Sequence, residues 1–129
     1  IMYCFSSLAE FATLRESIKQ ELILSLGEEA LHLFVAINEA VNNAIFHGNH
    51  EDSGKKVYLT IVKKPHEISI IIRDEGEGYL HKEISASTDL CDEHGRGLCI
   101  IKHYLDCYKL NAAGNEITLV KKINAAAWL

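Results

Sequence analysis

The sequence predicts an α+β fold, a two-layer sandwich of helices on a sheet. Three observations predict it. Two long stretches with helical apolar spacing open the chain, the apolar period switches to two near Val57, and a short helical stretch then precedes a closing hairpin. The 129 residues suit one domain, expected to span 1–129. A chain of that length buries roughly two-thirds of its unfolded surface, enough to stand without a disulfide or metal staple.

Ser7-Leu8-Ala9-Glu10 has the form of a capping box and opens the first helix. Leu8, Phe11, Leu14, Arg15, Ile18, Leu22 and Leu26 make its stripe, with Arg15 the one polar member, and Gly27 ends it. Glu28 and Glu29 suit the positive N-terminus of a second helix. That helix is expected to run to about His47, with Gly48 as its C′ stop. Its apolar positions include Leu31, Phe34, Val35, Ile37, Val41, Ala44 and Ile45. Val57, Leu59 and Ile61 alternate with Tyr58, Thr60 and Val62 as a strand, Lys63 to His66 turns, and Glu67 to Asp74 returns. Asp74 to His94 is polar and glycine-bearing without a period, and reads as a loop. Gly97 to about Leu105 reads as a helix. Tyr108 to Leu110 and Glu116 to Ile123 read as a hairpin turning at Ala113-Gly114-Asn115. The tail from Asn124 carries no clear signal.

Composition excludes several classes. With 48% hydrophobic residues, 24% charged and a single Pro, the chain is neither disordered nor collagen-like. A net charge of −5 gives no broad cationic face, so neither nucleic acid nor a membrane surface is an expected partner. No apolar run is long enough to span a bilayer. Ile1-Met2-Tyr3-Cys4 lacks the basic stretch of a signal peptide, and the start without Met reads as loss of a leading residue or segment. Cys4, Cys91, Cys99 and Cys107 form no C-x-x-C pair, so free thiols in a reducing cytoplasm are expected. His47 and His50 are three apart, but His50 lies beyond Gly48, and no zinc site is expected.

Three motifs carry chemistry. In Asn38-Glu39-Ala40-Val41-Asn42-Asn43-Ala44-Ile45-Phe46-His47-Gly48, Glu39 and Asn43 stand four apart on one helix face. A carboxylate and an amide oxygen there suit a hard cation such as Mg²⁺, and the carboxylate can take a proton from an attacking hydroxyl. The same residues also read as a solvated polar face, although Asn38, Asn42 and Asn43 are poor helix formers that call for a reason mid-helix. The second motif is Asp74-Glu75-Gly76-Glu77-Gly78. An Asp at a strand end accepts from an exocyclic amine, and the glycines let a ligand approach the backbone. The third, His94-Gly95-Arg96-Gly97-Leu98, opens a helix with N–H groups suited to phosphate. Each motif is weak alone.

In order and spacing the three resemble the GHKL, or Bergerat-fold, ATPase superfamily of gyrase, MutL and the histidine kinases. Glu39 to Asn43 matches its N box, Asp74 to Gly78 its first glycine box and Gly95 to Gly97 its second, over about Leu8 to Ile123. Within it the chain most resembles the anti-sigma-factor serine kinases of the RsbW type. Their E-A-x-x-N-A-x-x-H-G is met by Glu39-Ala40, Asn43-Ala44 and His47-Gly48, and their second glycine box by Gly95, Gly97, Leu98, Ile100, Ile101 and the downstream Asp106. The 129 residues are not expected to hold the dimerisation helices of a sensor kinase as well.

The resemblance implies a histidine-kinase-like ATPase domain with a mixed, mostly antiparallel sheet covered on one face by helices. It also implies a short ATP lid at 79–94; here the sequence departs from the family, being acidic from Thr88 to Glu93 where a second phosphate-binding cation is expected, with Lys82 and Arg96 the nearby basic residues. By that resemblance Glu39 is the catalytic base, Asn43 ligates Mg²⁺, and Asp74 reads the adenine amine of ATP. Gly76, Gly78, Gly95, Arg96, Gly97 and Leu98 shape the lid and phosphate sites. The implied activity is an ATP-dependent serine/threonine kinase and cytoplasmic anti-sigma regulator. It would bind a sigma factor and phosphorylate a Ser or Thr of a STAS-domain antagonist; a homodimer is left open. Two alternatives stay open as well: an ATP-binding partner-switch module without phosphotransfer, and the ATPase domain of a larger signalling protein. A nucleotide-free structural domain fits the three ordered motifs least.

Overall fold

The computed structural model describes residues 1–52, 54–76, 105 and 107–123. The elements run β1 (Met2–Phe5), α1 (Leu8–Leu26), α2 (Glu29–Asn42), a π-helical turn (Asn43–Gly48), β2 (Val57–Lys63), β3 (Glu67–Arg73), β4 (Cys107–Leu110) and β5 (Glu116–Lys122). The sheet order is β1-β2-β3-β5-β4, and all four pairings are antiparallel. Helices on a five-stranded sheet are the α+β sandwich that the apolar periods predict. The expected helix from Gly97, the lid and the tail from Asn124 lie outside the described residues.

The capping box forms. The Glu10 N–H donates to Ser7 Oγ at 3.1 Å, and Glu10 Oε1 accepts from the Ser6 N–H at 2.8 Å. Of the α1 stripe, Phe11, Ile18 and Leu22 are buried and Leu8, Leu14 and Leu26 pack against the core. Arg15 stays exposed and lays its guanidinium over the Phe11 ring, 5.6 Å from its centre, which explains a polar member in that stripe. Gly27 closes the helix at φ 59°, a left-handed value that favours glycine, with its N–H on the Ile23 carbonyl at 2.9 Å.

On the inner face of the sheet, Val57, Leu59, Ile61, Ile68, Ile70, Ile72, Ile117 and Leu119 are buried against the helices. Phe11 joins the layers, with ring centres 5.1 Å from Phe5 and 6.4 Å from Phe34. The structure adds two features to the expected pattern. Leu31 and Val35 are exposed, at 57% and 38%, while Leu33 takes the core position between them. Met2–Phe5 is a strand, paired with β2 from Met2↔Thr60 to Phe5↔Val57. Four residues are too few to show a period, and what makes them a strand is the free edge of β2.

The closing hairpin forms as expected, with β4 beginning one residue early at Cys107. Asn111 Oδ1 accepts from the N–H groups of Gly114, Asn115 and Glu116 at 2.7, 3.0 and 3.2 Å, and Gly114 has φ 78°. Cys4 and Cys107 are free and exposed. Among the described residues no helix is long and apolar enough to cross a membrane.

Candidate functional site

The site lies where the end of α2 meets the end of β3. Glu39 and Asn43 are both partly buried, one turn apart. The Asn43 N–H is shared between the carbonyls of Ala40 and Glu39, so the pair keeps α-helical register and one face. Two hard oxygen donors at that spacing fit a Mg²⁺ ion that keeps waters and phosphate oxygens as its other ligands.

After Asn43 the helix widens. The Asn49 N–H donates to the Ala44 carbonyl, five residues back, at 2.8 Å. Such π turns recur at functional sites, because the wider turn re-aims the backbone beyond it. Here it brings Gly48 onto Asp74. Gly48 is therefore not the left-handed C′ stop that its place after a helix suggests; among the described glycines only Gly27 and Gly114 have positive φ. Gly48 is required for close approach. A Cβ there would lie 2.2 Å from Asp74 Oδ2, and a Cβ on Gly76 would lie 1.8 Å from the Gly48 carbonyl oxygen. The bare backbones of Gly48 and Gly76 thus let the end of the helix and the end of β3 pack directly on one another and on the Asp74 carboxylate.

Asp74 is 4% exposed. Its N–H donates to the Asn115 carbonyl at 2.9 Å, and its Oδ1 accepts from the Gly76 N–H at 2.7 Å. Among the described residues no donor reaches Oδ2. Burial pushes the Asp74 carboxyl above the usual carboxylate range, opposed by the Gly76 N–H and by the charges of Lys55 and His50. A buried acceptor with a free oxygen suits a donor from a ligand.

That shift gives a first prediction. In native protein Asp74 holds its proton more tightly than at the ordinary value of 3.8, so ionising it costs folding energy. The cost is absent below pH 3.8 and complete once the pH exceeds the raised native value. Asp74→Asn without nucleotide is therefore expected to melt higher than wild type at neutral pH, with the gap closing on acidification. Melting curves across pH check this, and a gap that widens towards low pH would contradict it.

Of the other expected site residues, Gly78, Gly95, Arg96, Gly97 and Leu98 lie outside the described residues. Sequence reasoning missed Asn49, which is 2% exposed and hydrogen-bonded to both strand ends. Its only sequence signal is the turn-like Gly48-Asn49 pair.

The sequence model of the histidine kinase-like ATPase domain family matches residues 6–121. The chain belongs to this family. The chain is similar to the anti-sigma F factor of Oceanobacillus iheyensis, 30% identical over 105 residues, covering 75% of this chain and 72% of that protein. It is similar to that of Shouchella clausii, 31% identical over 108 residues, covering 78% and 74%. The anti-sigma F factor of Bacillus subtilis is 28% identical over 105 residues, covering 75% and 72%. As a histidine kinase-like ATPase domain, the chain is of a kind that binds ATP, and these relatives bear the name anti-sigma F factor.

Proposed function

We propose that this histidine kinase-like ATPase domain is a cytoplasmic anti-sigma regulator that binds a sigma factor. In this reading it also transfers phosphate from ATP to a Ser or Thr of a STAS-domain antagonist. The observation that supports the nucleotide part is the Asp74 carboxylate, buried against Gly48 and Gly76 with its Oδ2 reached by no donor among the described residues. The Glu39–Asn43 pair carries the chemistry, and the names of the relatives carry the sigma-factor part.

Asp74 Oδ2 accepts from the adenine amine. Guanine places an acceptor at that position and is repelled, so GTP competes poorly. Asp74→Ala is expected to weaken ATP binding by about 1.5–3 kcal/mol, the worth of a hydrogen bond to a charged group. Asn43 Oδ1 would hold Mg²⁺. When bound, the metal neutralises phosphate charge and lets the substrate hydroxyl approach. Glu39 orients that hydroxyl and takes its proton as the oxygen attacks. Phosphoryl transfer asks little more of a protein than such positioning and charge neutralisation. The alternative of a switch module without transfer gives Glu39 no task.

Asn43→Ala is expected to leave the fold intact, because its side chain lies outside the core, and to remove the gain in ATP affinity that Mg²⁺ gives. Titrations with Mg²⁺ and with chelator check this; an equal Mg²⁺ gain in wild type and variant would refute the metal role. The function itself is tested by incubating the protein with labelled ATP, Mg²⁺ and STAS-domain proteins of the same genome. Label on a Ser or Thr supports it. Tight ATP binding with no label on any of them supports the switch module instead.

A further inference from the structure

Among the described residues Asn49 is the most deeply buried polar side chain. It sits between the π turn and two successive left-handed residues, His50 at φ 53° and Glu51 at φ 60°, which non-glycine residues seldom adopt. Its amide works in two directions. Asn49 Oδ1 accepts from the Glu75 N–H at 2.8 Å, and Asn49 Nδ2 donates to the Lys56 carbonyl at 3.1 Å. Glu75 Oε1 then accepts from the Lys56 N–H at 2.5 Å. The three bonds close a ring through the end of the π turn, the start of β2 and the end of β3.

The ring fixes the turn that carries Asp74. Of the three N–H groups there, that of Asp74 goes to Asn115, and that of Gly76 goes to Asp74 itself. Only the Glu75 N–H is held from the helical side, and Asn49 holds it. Other side chains fit less well. Aspartate has no donor for Lys56 and would set a second carboxylate near Asp74, alanine leaves both partners unpaired, and glutamine is a methylene too long.

We propose that Asn49 is a positioning residue for base recognition: by clamping the Glu75 N–H it holds the Asp74 carboxylate in the orientation that discriminates an amine from a carbonyl at the purine 6-position. The proposal rests on the reading of Asp74 as the adenine acceptor. It places selectivity outside the residues that touch the base.

The test is titration with ATP and with inosine triphosphate, which carries a carbonyl in place of the adenine amine. Wild type is expected to prefer ATP by about tenfold or more. In Asn49→Ala, ATP should weaken about five- to tenfold while inosine triphosphate stays within about twofold, so the preference collapses. A merely structural role would weaken both nucleotides equally and keep their ratio, and that result would overturn the proposal. Glu75→Ala opens the same ring at an exposed side chain and is expected to lose about threefold in ATP alone. It decides the matter if Asn49→Ala does not fold, and a ratio unchanged in Glu75→Ala would then overturn the proposal. A wild type that binds both nucleotides equally would instead overturn the adenine reading of Asp74, and this proposal with it.

Discussion

Replacing Glu39 with Gln is expected to cut phosphoryl transfer by about 10²–10⁴ while ATP still binds, the usual worth of a positioned general base. The substitution keeps the size of the side chain and one acceptor oxygen, and removes the basicity. The Asn43 N–H bond to the Glu39 and Ala40 carbonyls is made by backbone, so the helix face survives the change. Removing a negative charge near the phosphates can also tighten ATP, so binding and transfer must be measured separately, at saturating nucleotide. Sigma-factor binding should persist, because that surface need not include the cleft floor. If wild type transfers phosphate and Glu39→Gln transfers it as fast, the base is another group, and Glu75 beside Asp74 is the next described carboxylate to replace.

Gly76→Ala is expected to damage the site from the other side. The new Cβ would fall 1.8 Å from the Gly48 carbonyl oxygen and 2.5 Å from its carbon. Both are backbone atoms at the end of a helix, so no rotamer change relieves the clash, and the π turn and the end of β3 must move apart. Overpacking of this kind costs about 1–3 kcal/mol of stability. Because the same contact seats the Asp74 turn on the helix end, ATP affinity should fall about tenfold or more, one lost interaction of the size a charged hydrogen bond supplies. Gly54→Ala is the control, since among the described residues its Cβ would meet only the Asp52 side chain, at 3.2 Å. Thermal unfolding and ATP titration of both variants check this. A Gly76→Ala protein that melts and binds like wild type would mean that the close approach is not needed.

Much of the fold was legible because burial repeats with the period of each element. Phe11, Ile18 and Leu22 mark α1, and Val57, Leu59 and Ile61 mark β2, without any knowledge of their partners. Where periodicity was silent, the reading failed. β1 is too short to repeat. Leu31 and Val35 satisfy a helical pattern as well as Leu33 does, and only the position of the sheet decides which of them is covered. The Glu39–Asn43 pair and Asp74 could be singled out as candidates because a four-residue spacing and an Asp before glycines are local signals. Gly48 and Asn49 were not. Gly48 reads as a helix stop until Asp74 is seen lying on it, and the partners of Asn49 are seven and 26 residues away in sequence. Long-range polar contacts leave no pattern in a single sequence.

The measurement that bears most directly on the account is a crystal structure with Mg²⁺ and a non-hydrolysable ATP analogue. The account predicts the adenine amine within about 2.7–3.2 Å of Asp74 Oδ2 and the metal about 2.0–2.1 Å from Asn43 Oδ1. Glu39 should then face the terminal phosphate from the same helix face. An adenine turned away from Asp74, or a metal held by other residues with Asn43 in solvent, would contradict it.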